Sequence, residues 1–181
     1  QGNEIYDEFY TEIYNQLMLP DKRCTFEIDK IIEMTKPTPR SCFLDIGTGT
    51  GEISGNLTKK GFQVYALDSS EAMVKYVEKN HSSVQVKCGD ARKAINYEKG
   101  SFSHILTTGF SVYLFKNKDE YFRNCYFWLK PGGYLIVHLV DREKFDPIIP
   151  GGRPPLLKDP QKYSPSRITD TVIDFIDFKY R

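Results

Sequence analysis

Residues 43–52 constrain the fold of this chain most strongly. An apolar run ending in Asp45-Ile46 is followed by glycines at positions 47, 49 and 51 and then by a helix-forming sequence. Glycine has no Cβ, so the backbone can turn sharply here and approach a ligand closely. The following helix directs its unpaired N–H groups and the positive end of its dipole to the same place. The pattern predicts a strand, a ligand-binding turn and a helix, with an adenosine-containing or anionic ligand.

Strand and helix patterns alternate from position 41 onward. We predict strands over 41–46, 62–67, 84–88, 102–108 and 134–140, and helices over 52–60, from Ser69 or Ser70 to 80, and over 118–129. Gly61 is expected to cap the first of these helices, and the run 130–133 to turn the chain into strand five. Such alternation predicts an α/β fold with a doubly wound, mostly parallel sheet and helices on both faces.

The two ends of the chain differ from this core. Residues 4–19 and 24–34 show helical spacing, separated by Pro20-Asp21. Residues 146–166 contain six prolines and two glycines, which predicts a long irregular connection. Residues 168–180 alternate as one long strand, the sixth. We therefore expect one domain over 1–181, with a helical lid at 1–40, a core at 41–140, and a loop and strand at 141–181.

Composition excludes several classes of function. The 25 basic and 24 acidic residues give a net charge of +1, so nothing indicates binding to nucleic acid or an acidic membrane. No apolar run reaches the roughly 18 residues of a membrane span. The four cysteines (24, 42, 88 and 125) lack zinc-site spacing and are interpreted as free thiols in a reducing compartment. We expect a cytoplasmic protein without a metal site.

The spacing of the glycines separates two kinds of nucleotide site. The dinucleotide pattern G-x-G-x-x-G would place its third glycine at position 52, where this chain has Glu52. Glycines at 47, 49 and 51 after Asp45 resemble instead motif I of the class I S-adenosylmethionine-dependent methyltransferases. Three downstream segments agree with that family: 66–70 with Asp68, 88–91 with Asp90, and the Leu-Lys-Pro-Gly-Gly run at 129–133. The resemblance covers residues 41–140.

The resemblance implies which residues bind S-adenosylmethionine. Asp68 would accept hydrogen bonds from the ribose, or would merely cap the next helix. Ser69 and Met73 would lie near the adenine. Asp90 would accept from the adenine amino group, or simply form a turn. Asp45 would act through the glycine turn and the ligand's ammonium group, or bond only its own turn. The full predicted set is Asp45, Gly47, Thr48, Gly49, Gly51, Asp68, Ser69, Met73, Asp90, Ala91, Thr108 and Tyr14.

The methyl acceptor is less defined. Residues 107–113 lack the Asp/Asn-Pro-Pro motif of methyltransferases that act on nucleic-acid bases or glutamine, and also the acids of aminopropyltransferases. Candidates for lining the acceptor pocket are Phe110, Tyr113, His138, Tyr6, Tyr10 and Tyr14. The tyrosines share one helix face and could equally be buried against the sheet. His138 and Tyr113 are the only candidates for catalysis, and His138 has the alternative of a satisfied core histidine. His104 is not interpreted as catalytic, and His81 is expected on the surface.

We therefore expect transfer of a methyl group from S-adenosylmethionine to a small-molecule acceptor by in-line displacement. The alternatives are a non-catalytic module that binds S-adenosylmethionine or S-adenosylhomocysteine, and a nucleotide-dependent oxidoreductase, against which Glu52 argues. The resemblance also implies a sheet of seven strands, whereas the sequence predicts only six strands. We expect that last strand to be absent through truncation, and the incomplete sheet edge to permit a homodimer.

Overall fold

The computed structural model describes residues 6–18 and 20–141, and two short strands near the C-terminus. Its helices and strands, in chain order, are α1 Glu8–Met18, α2 Pro20–Thr35, β1 Cys42–Ile46, α3 Glu52–Lys59, β2 Gln63–Asp68, α4 Glu71–Asn80, β3 Gln85–Cys88, β4 Phe102–Thr107, α5 Lys118–Trp128, β5 Leu129–Val137, β6 Ile173–Asp174 and β7 Lys179–Tyr180. Short 3₁₀ turns at Ala94–Asn96 and Ser111–Leu114 were not predicted. The predicted helices and the first four strands are confirmed within a few residues at each end.

The first five strands form one parallel sheet in the order β3-β2-β1-β4-β5. The chain builds outward from β1 to β3, and then crosses to the other side of β1 to form β4. The carboxyl ends of β1 and β4 therefore flank the point where the winding reverses, which is where open α/β sheets bind ligands. The predicted doubly wound parallel sheet is confirmed.

Alternating side chains of β1 pack against helices on opposite faces of the sheet. Leu44 lies in a buried cluster with three side chains of α5, whereas Phe43 lies in a second cluster with side chains of α2 and α3. All five residues of β1 are buried, as expected of a central parallel strand. The core is therefore built around the strand that leads into the glycine turn.

Two helix boundaries follow their predicted caps. Gly61 has φ +91°, and the N–H groups of Gly61 and Phe62 donate to the carbonyls of Thr58 and Leu57 at 2.9 and 3.2 Å. This is a Schellman motif, and it confirms the glycine cap. Of the two serines proposed for α4, Ser70 is the N-cap, and its hydroxyl accepts from the Met73 N–H.

Strand five begins five residues earlier than predicted. Lys130–Gly133 was expected to be a turn before the strand, but β5 already pairs with β4 through Phe102 and Leu129. The next pair is His104 with Tyr134, so β5 advances by five residues while β4 advances by two. A bulge absorbs the difference, with Gly132 at φ +76°. A side chain at 133 would lie 2.9 Å from two backbone oxygens, so only glycine fits.

The chain divides into two compact units, Gln1–His138 and Leu139–Arg181. In the second, β6 pairs with β7 in antiparallel fashion, Ile173 opposite Tyr180. The prediction of one long strand over 168–180 is therefore wrong, because its described positions pair with each other. The rest of 142–181, including the proline-rich connection, lies outside the described residues. The missing last strand and the single domain stay predictions.

Two further findings concern the described residues. All four cysteines are free, as predicted, and burial raises the pKa of the Cys125 thiol to about 12. No helix in the described part of the chain has the length and apolar character needed to span a bilayer.

Candidate functional site

The glycine turn after β1 has the geometry that the sequence predicts. Gly47, Gly49 and Gly51 have φ values of +70°, +58° and +80°, a region that side chains with a Cβ rarely adopt. A Cβ on Gly47 would lie 3.0 Å from Ser111, so this glycine lets the turn after β4 pack against the turn after β1. A Cβ on Gly49 would meet no atom within 4 Å. The backbone at Gly49 therefore borders open space, as a ligand cradle requires.

Asp45 is a buried acid with one oxygen unused. Its side chain is 1% exposed, and its Oδ2 accepts hydrogen bonds from the hydroxyls of Thr48 at 2.8 Å and Ser54 at 2.7 Å. Its Oδ1 is buried without a hydrogen-bond partner among the described residues. Burial raises the pKa of this carboxyl to about 6, although the two hydroxyls act to lower it. An unpartnered buried acceptor of this kind fits the ammonium group of S-adenosylmethionine.

Asp68 joins the glycine turn to the loop after β2. Its Oδ2 accepts from the Gly49 N–H and its Oδ1 from the Ser70 N–H, both at 2.9 Å. Burial raises its pKa while these backbone bonds oppose the rise. Since an ionised carboxylate has about four acceptor positions, both oxygens can also accept from ribose hydroxyls. The predicted ribose role and the structural role are compatible.

The residues predicted near the adenine differ in exposure. Met73 is buried, and its sulfur accepts a 3.6 Å hydrogen bond from the Thr11 hydroxyl of α1. Ala91 is also buried, whereas Ser69 is exposed. Asp90 forms a bidentate ion pair with Arg92, at 2.6 Å for the shortest contact, and these bonds lower the pKa of its carboxyl. The Asp90 carboxylate is therefore ionised and available as an acceptor, with Arg92 already bound.

Three tyrosines of the N-terminal segment form a continuous row. The ring centres of Tyr6 and Tyr10 are 5.5 Å apart, and those of Tyr10 and Tyr14 are 5.7 Å apart. Tyr10 and Tyr14 lie on one face of α1 as predicted, whereas Tyr6 precedes the helix and only continues the row. The row extends from the β2 loop, where the Ser70 hydroxyl donates to the Tyr6 carbonyl, toward Arg23, which hydrogen-bonds Tyr14. Burial raises the pKa of both Tyr6 and Tyr14.

Asn15 attaches α1 to the glycine turn. Its side chain accepts from the Thr50 hydroxyl at 2.6 Å and donates to Glu52 at 2.9 Å. Sequence reasoning did not single out Asn15, because one asparagine in a helix gives no signal of a long-range contact. The two bonds place the row of tyrosines beside the cradle.

The turn after β4 carries the predicted acceptor-side residues. Thr108 leads into Gly109 at φ +58° and Phe110 at φ +62°, and a left-handed conformation is uncommon for a bulky aromatic residue. Backbone strain of this kind is characteristic of functional sites. The Phe110 ring lies 4.0 Å from the ring of His138, between ring centres. Tyr113 is 43% exposed in the same turn.

His138 follows the last residue of β5 and contacts an acid that sequence reasoning missed. Its N–H donates to the Thr107 carbonyl at 3.0 Å, and its Nδ1 lies 3.4 Å from Oε1 of Glu27. The same oxygen lies 3.6 Å from Nε of Arg23. A signal for Glu27 was present, because it falls in the stripe formed by the buried residues Cys24, Ile28 and Ile31 of α2.

The other two histidines have structural positions. His81 was expected on the surface, which is wrong: its side chain is 12% exposed and packs against Gly51 and Gly55, with Nε2 at 3.8 Å from Glu52. The two glycines leave a groove that the ring fills. His104 stacks on Phe43 with ring centres 4.4 Å apart, within the sheet and away from its carboxyl edge.

A family model described as "Methyltransferase domain" matches residues 44–137. The protein named "Putative methyltransferase YqeM" from Bacillus subtilis is 31% identical over 154 residues, 81% of this chain and 60% of that protein. A glycine/sarcosine N-methyltransferase from Parasynechococcus marenigrum is 29% identical over 81% of this chain and 54% of its own. This chain therefore spans only between about half and three-fifths of the length of these relatives.

A solved structure agrees with these sequence relatives. The crystal structure of a putative S-adenosyl-L-methionine-dependent methyltransferase from Methanococcus maripaludis superposes with a TM-score of 0.63 at 28% identity. It covers 79% of this chain, and 69% of that protein is matched. Residues 44–137, which the family model matches, contain the glycine turn, the loop after β2 and the turn after β4.

Proposed function

The chain belongs to the methyltransferase domain family of class I S-adenosylmethionine-dependent proteins, and from this membership we propose that it transfers a methyl group from S-adenosylmethionine to a small molecule. S-adenosylmethionine supplies a methyl group already activated on a positively charged sulfur. The residues of this chain then have to bind the donor, orient the acceptor and exclude water.

The observation that carries the proposal is the unused oxygen of Asp45, a carboxylate bonded to Thr48 of the glycine turn, together with the open space at Gly49 of the same turn. A buried carboxylate without its full set of donors is costly unless a ligand completes it. In the proposed complex, Asp45 accepts from the ammonium group, while the turn formed by Gly47, Thr48, Gly49 and Gly51 lies against the amino-acid end of the donor. Both features were found in the structure independently of the family match.

The remaining predicted residues have assigned positions in this proposal. Asp68 accepts from the ribose, and Asp90 from the adenine amino group. Ser69, Met73 and Ala91 border the base, while Thr108 and Tyr14 border the transferable methyl. Supporting contacts are the bonds from Asp68 to the glycine turn and the attachment of α1 to the same turn.

The acceptor is proposed to be a small molecule that enters between α1 and the turn after β4. The near-neutral charge and the missing Asp/Asn-Pro-Pro motif argue against nucleic acid. One relative is named for glycine and sarcosine, which are amines. The four free thiols favour the cytoplasm as its location. The unpaired edge of β5 in the described sheet is the proposed site of a homodimer.

Calorimetry tests the donor, and a methyl-release assay tests the reaction. We expect S-adenosylmethionine and S-adenosylhomocysteine to bind with a single site, and NAD not to bind. Binding of NAD alone would refute the proposal in favour of an oxidoreductase. Binding of S-adenosylmethionine without methyl release to any member of a metabolite panel would favour the non-catalytic module instead.

A further inference from the structure

A group of buried ionisable side chains lies at the carboxyl edge of the sheet, on the side opposite Asp68. Four of its polar atoms are buried and have no hydrogen-bond partner of standard geometry within the described part of the chain: Arg23 Nε, both carboxylate oxygens of Glu27, and His138 Nδ1. Arg23 Nε and His138 Nδ1 nevertheless lie close to Glu27 Oε1, at 3.6 Å and 3.4 Å respectively. These polar groups are gathered but incompletely bonded.

Stability does not explain this arrangement. Desolvating a carboxylate costs several kcal/mol, and long contacts of 3.4–3.6 Å recover little of that energy. Glu33, on the exposed part of the same helix, shows the ordinary alternative with a 2.6 Å ion pair to Lys30. Unsatisfied groups that a fold retains at a ligand-binding edge are more consistent with chemistry than with packing.

The contacts of His138 fix the orientation of its imidazole. Phe110 packs against the ring with centres 4.0 Å apart, and Glu27 lies at the Nδ1 edge. A carboxylate at Nδ1 favours the tautomer that carries its proton there, which leaves Nε2 as a free base. The His138 side chain is 31% exposed although Nδ1 is buried, so its accessible surface lies on the other ring atoms. Contacts between catalytic groups are commonly long before substrate binds and shorten afterwards.

The cluster adjoins the proposed methyl-donor site. Phe110, which packs on His138, immediately precedes Ser111, and a Cβ on Gly47 would lie 3.0 Å from Ser111. Tyr14, in the row of tyrosines, is hydrogen-bonded by Arg23. The imidazole therefore lies against the turn after β4, where we propose that the methyl acceptor enters.

We propose that Glu27 is a positioning residue that holds His138 as the Nδ1–H tautomer, so that Nε2 removes a proton from the acceptor as it is methylated. This inference rests on the proposed methyltransferase function and specifies its acceptor as a nucleophile that carries an acidic hydrogen, a hydroxyl or an ammonium group. The acceptor's proton passes to Nε2, and its freed electron pair forms the new bond to the methyl carbon. The carbon–sulfur bond of the donor breaks, and its electron pair stays on sulfur.

Long-range proton–nitrogen correlation spectra of the nitrogen-15-labelled protein, saturated with S-adenosylhomocysteine at about pH 8, test the tautomer directly. The signals are assigned by their loss in His138→Gln. We expect the wild-type protein to show a protonated Nδ1 and an unprotonated Nε2. Glu27→Leu is expected to lose this preference and Glu27→Gln, which keeps an acceptor oxygen, to restore most of it. The matched control Glu33→Gln removes an exposed acid from the same helix and should leave the spectrum unchanged.

Kinetics provide the second readout, with catechol as the hydroxyl probe and glycine as the amine probe. For the probe that is methylated, Glu27→Leu should lower kcat about 10- to 100-fold with KM within about twofold, below the roughly 10²–10⁴-fold supplied by a general base itself. The kcat of Glu27→Gln should lie between that of the wild-type protein and that of Glu27→Leu. An unchanged kcat in Glu27→Leu, or an Nε2–H tautomer in the wild-type protein, would overturn the inference. Calorimetry with S-adenosylhomocysteine separates the two proposals. Failure of the wild-type protein to bind this ligand would refute the methyltransferase function itself, and not merely the role of Glu27.

Discussion

The ionisation of Asp45 makes a prediction that tests the donor site without knowledge of the acceptor. Burial raises the pKa of this carboxyl to about 6, and its Oδ1 is unpartnered. An ammonium group is attracted by the ionised carboxylate and not by the neutral acid. The affinity for S-adenosylhomocysteine is therefore expected to fall as the pH drops through about 6.

The magnitude follows from the fraction of ionised carboxyl. With a pKa of about 6, nearly all Asp45 is ionised at about pH 7.5, and roughly one molecule in ten at about pH 5. If only the ionised form binds, affinity falls about tenfold between these values, equivalent to about 1.4 kcal/mol.

The assay is calorimetric titration at several pH values, with one ligand control and two variants. Methylthioadenosine lacks the ammonium group, so its affinity should not follow the ionisation of Asp45. Asp45→Asn should bind S-adenosylhomocysteine weakly at every pH, with the slope through pH 6 removed. Asp29→Asn, which removes an exposed acid of α2, should behave as the wild-type protein does.

Thermal unfolding separates lost affinity from lost structure. A carboxyl whose pKa is raised on folding stabilises the native state when it is protonated. Its contribution to stability is therefore lost as the pH rises from about 4 to about 6. The rise of the Asp45 pKa from 3.8 to about 6 lowers the free energy of unfolding by about 3 kcal/mol at neutral pH. Asp45→Asn should therefore unfold at a temperature no lower than the wild-type protein. A wild-type affinity that is flat across this pH range, or a slope that persists in Asp45→Asn, would refute the reasoning.

Three further predictions concern the glycine turn and the helix α3 that follows it. Gly49→Ala should lower the affinity for S-adenosylhomocysteine by about tenfold or more, because it places a Cβ in the cradle. Gly61→Ala, equally left-handed and open but distant, should show only the stability loss of a left-handed alanine, about 1–2 kcal/mol, in thermal melts with affinity unchanged. Ser54→Ala removes a hydrogen bond that lowers the pKa of Asp45, so the midpoint of the pH-dependent affinity should move upward, and a downward movement would contradict it. Gly55→Ala places a Cβ 2.3 Å from His81 Nδ1 and should destabilise by about 1–3 kcal/mol in denaturant titrations, and His81→Ala should recover part of that loss if the clash is its cause.

The positions of the first four strands and the glycine turn could be predicted because each depends on local sequence. Alternating apolar residues define the strands, and glycines at 47, 49 and 51 require a backbone that the structure shows with positive φ at each. The Schellman motif at Gly61 and the cap at Ser70 are equally local. Such features are fixed within a few residues of the chain, so the sequence contains the information directly.

Features that depend on distant partners could not be read in the same way. The run before strand five has the composition of a turn, yet its pairing with β4 draws it into the sheet with a bulge. His81 stands among polar residues, and only the packing of α3 brings Gly51 and Gly55 beneath it. Glu27 gave a signal as an acid in an apolar stripe, but its partner, His138, lies far along the chain and is brought to it only by the fold.

The positions of the unsatisfied buried atoms indicate which of these departures matter for function. Asp45, Arg23, Glu27 and His138 lie at the carboxyl edge of the sheet, where the winding reverses between β1 and β4 and open α/β sheets bind their ligands. The unpartnered nitrogen of His104 lies inside the sheet between two aromatic rings, where its lowered pKa keeps it neutral and its cost is small. Apart from His81 Nε2, which lies 3.8 Å from Glu52, the other unpartnered ionisable groups of the described residues therefore lie where a ligand can complete them. That distribution is expected if the edge was selected to bind a charged donor and to move a proton, because a fold selected for stability alone would have replaced these acids with apolar residues.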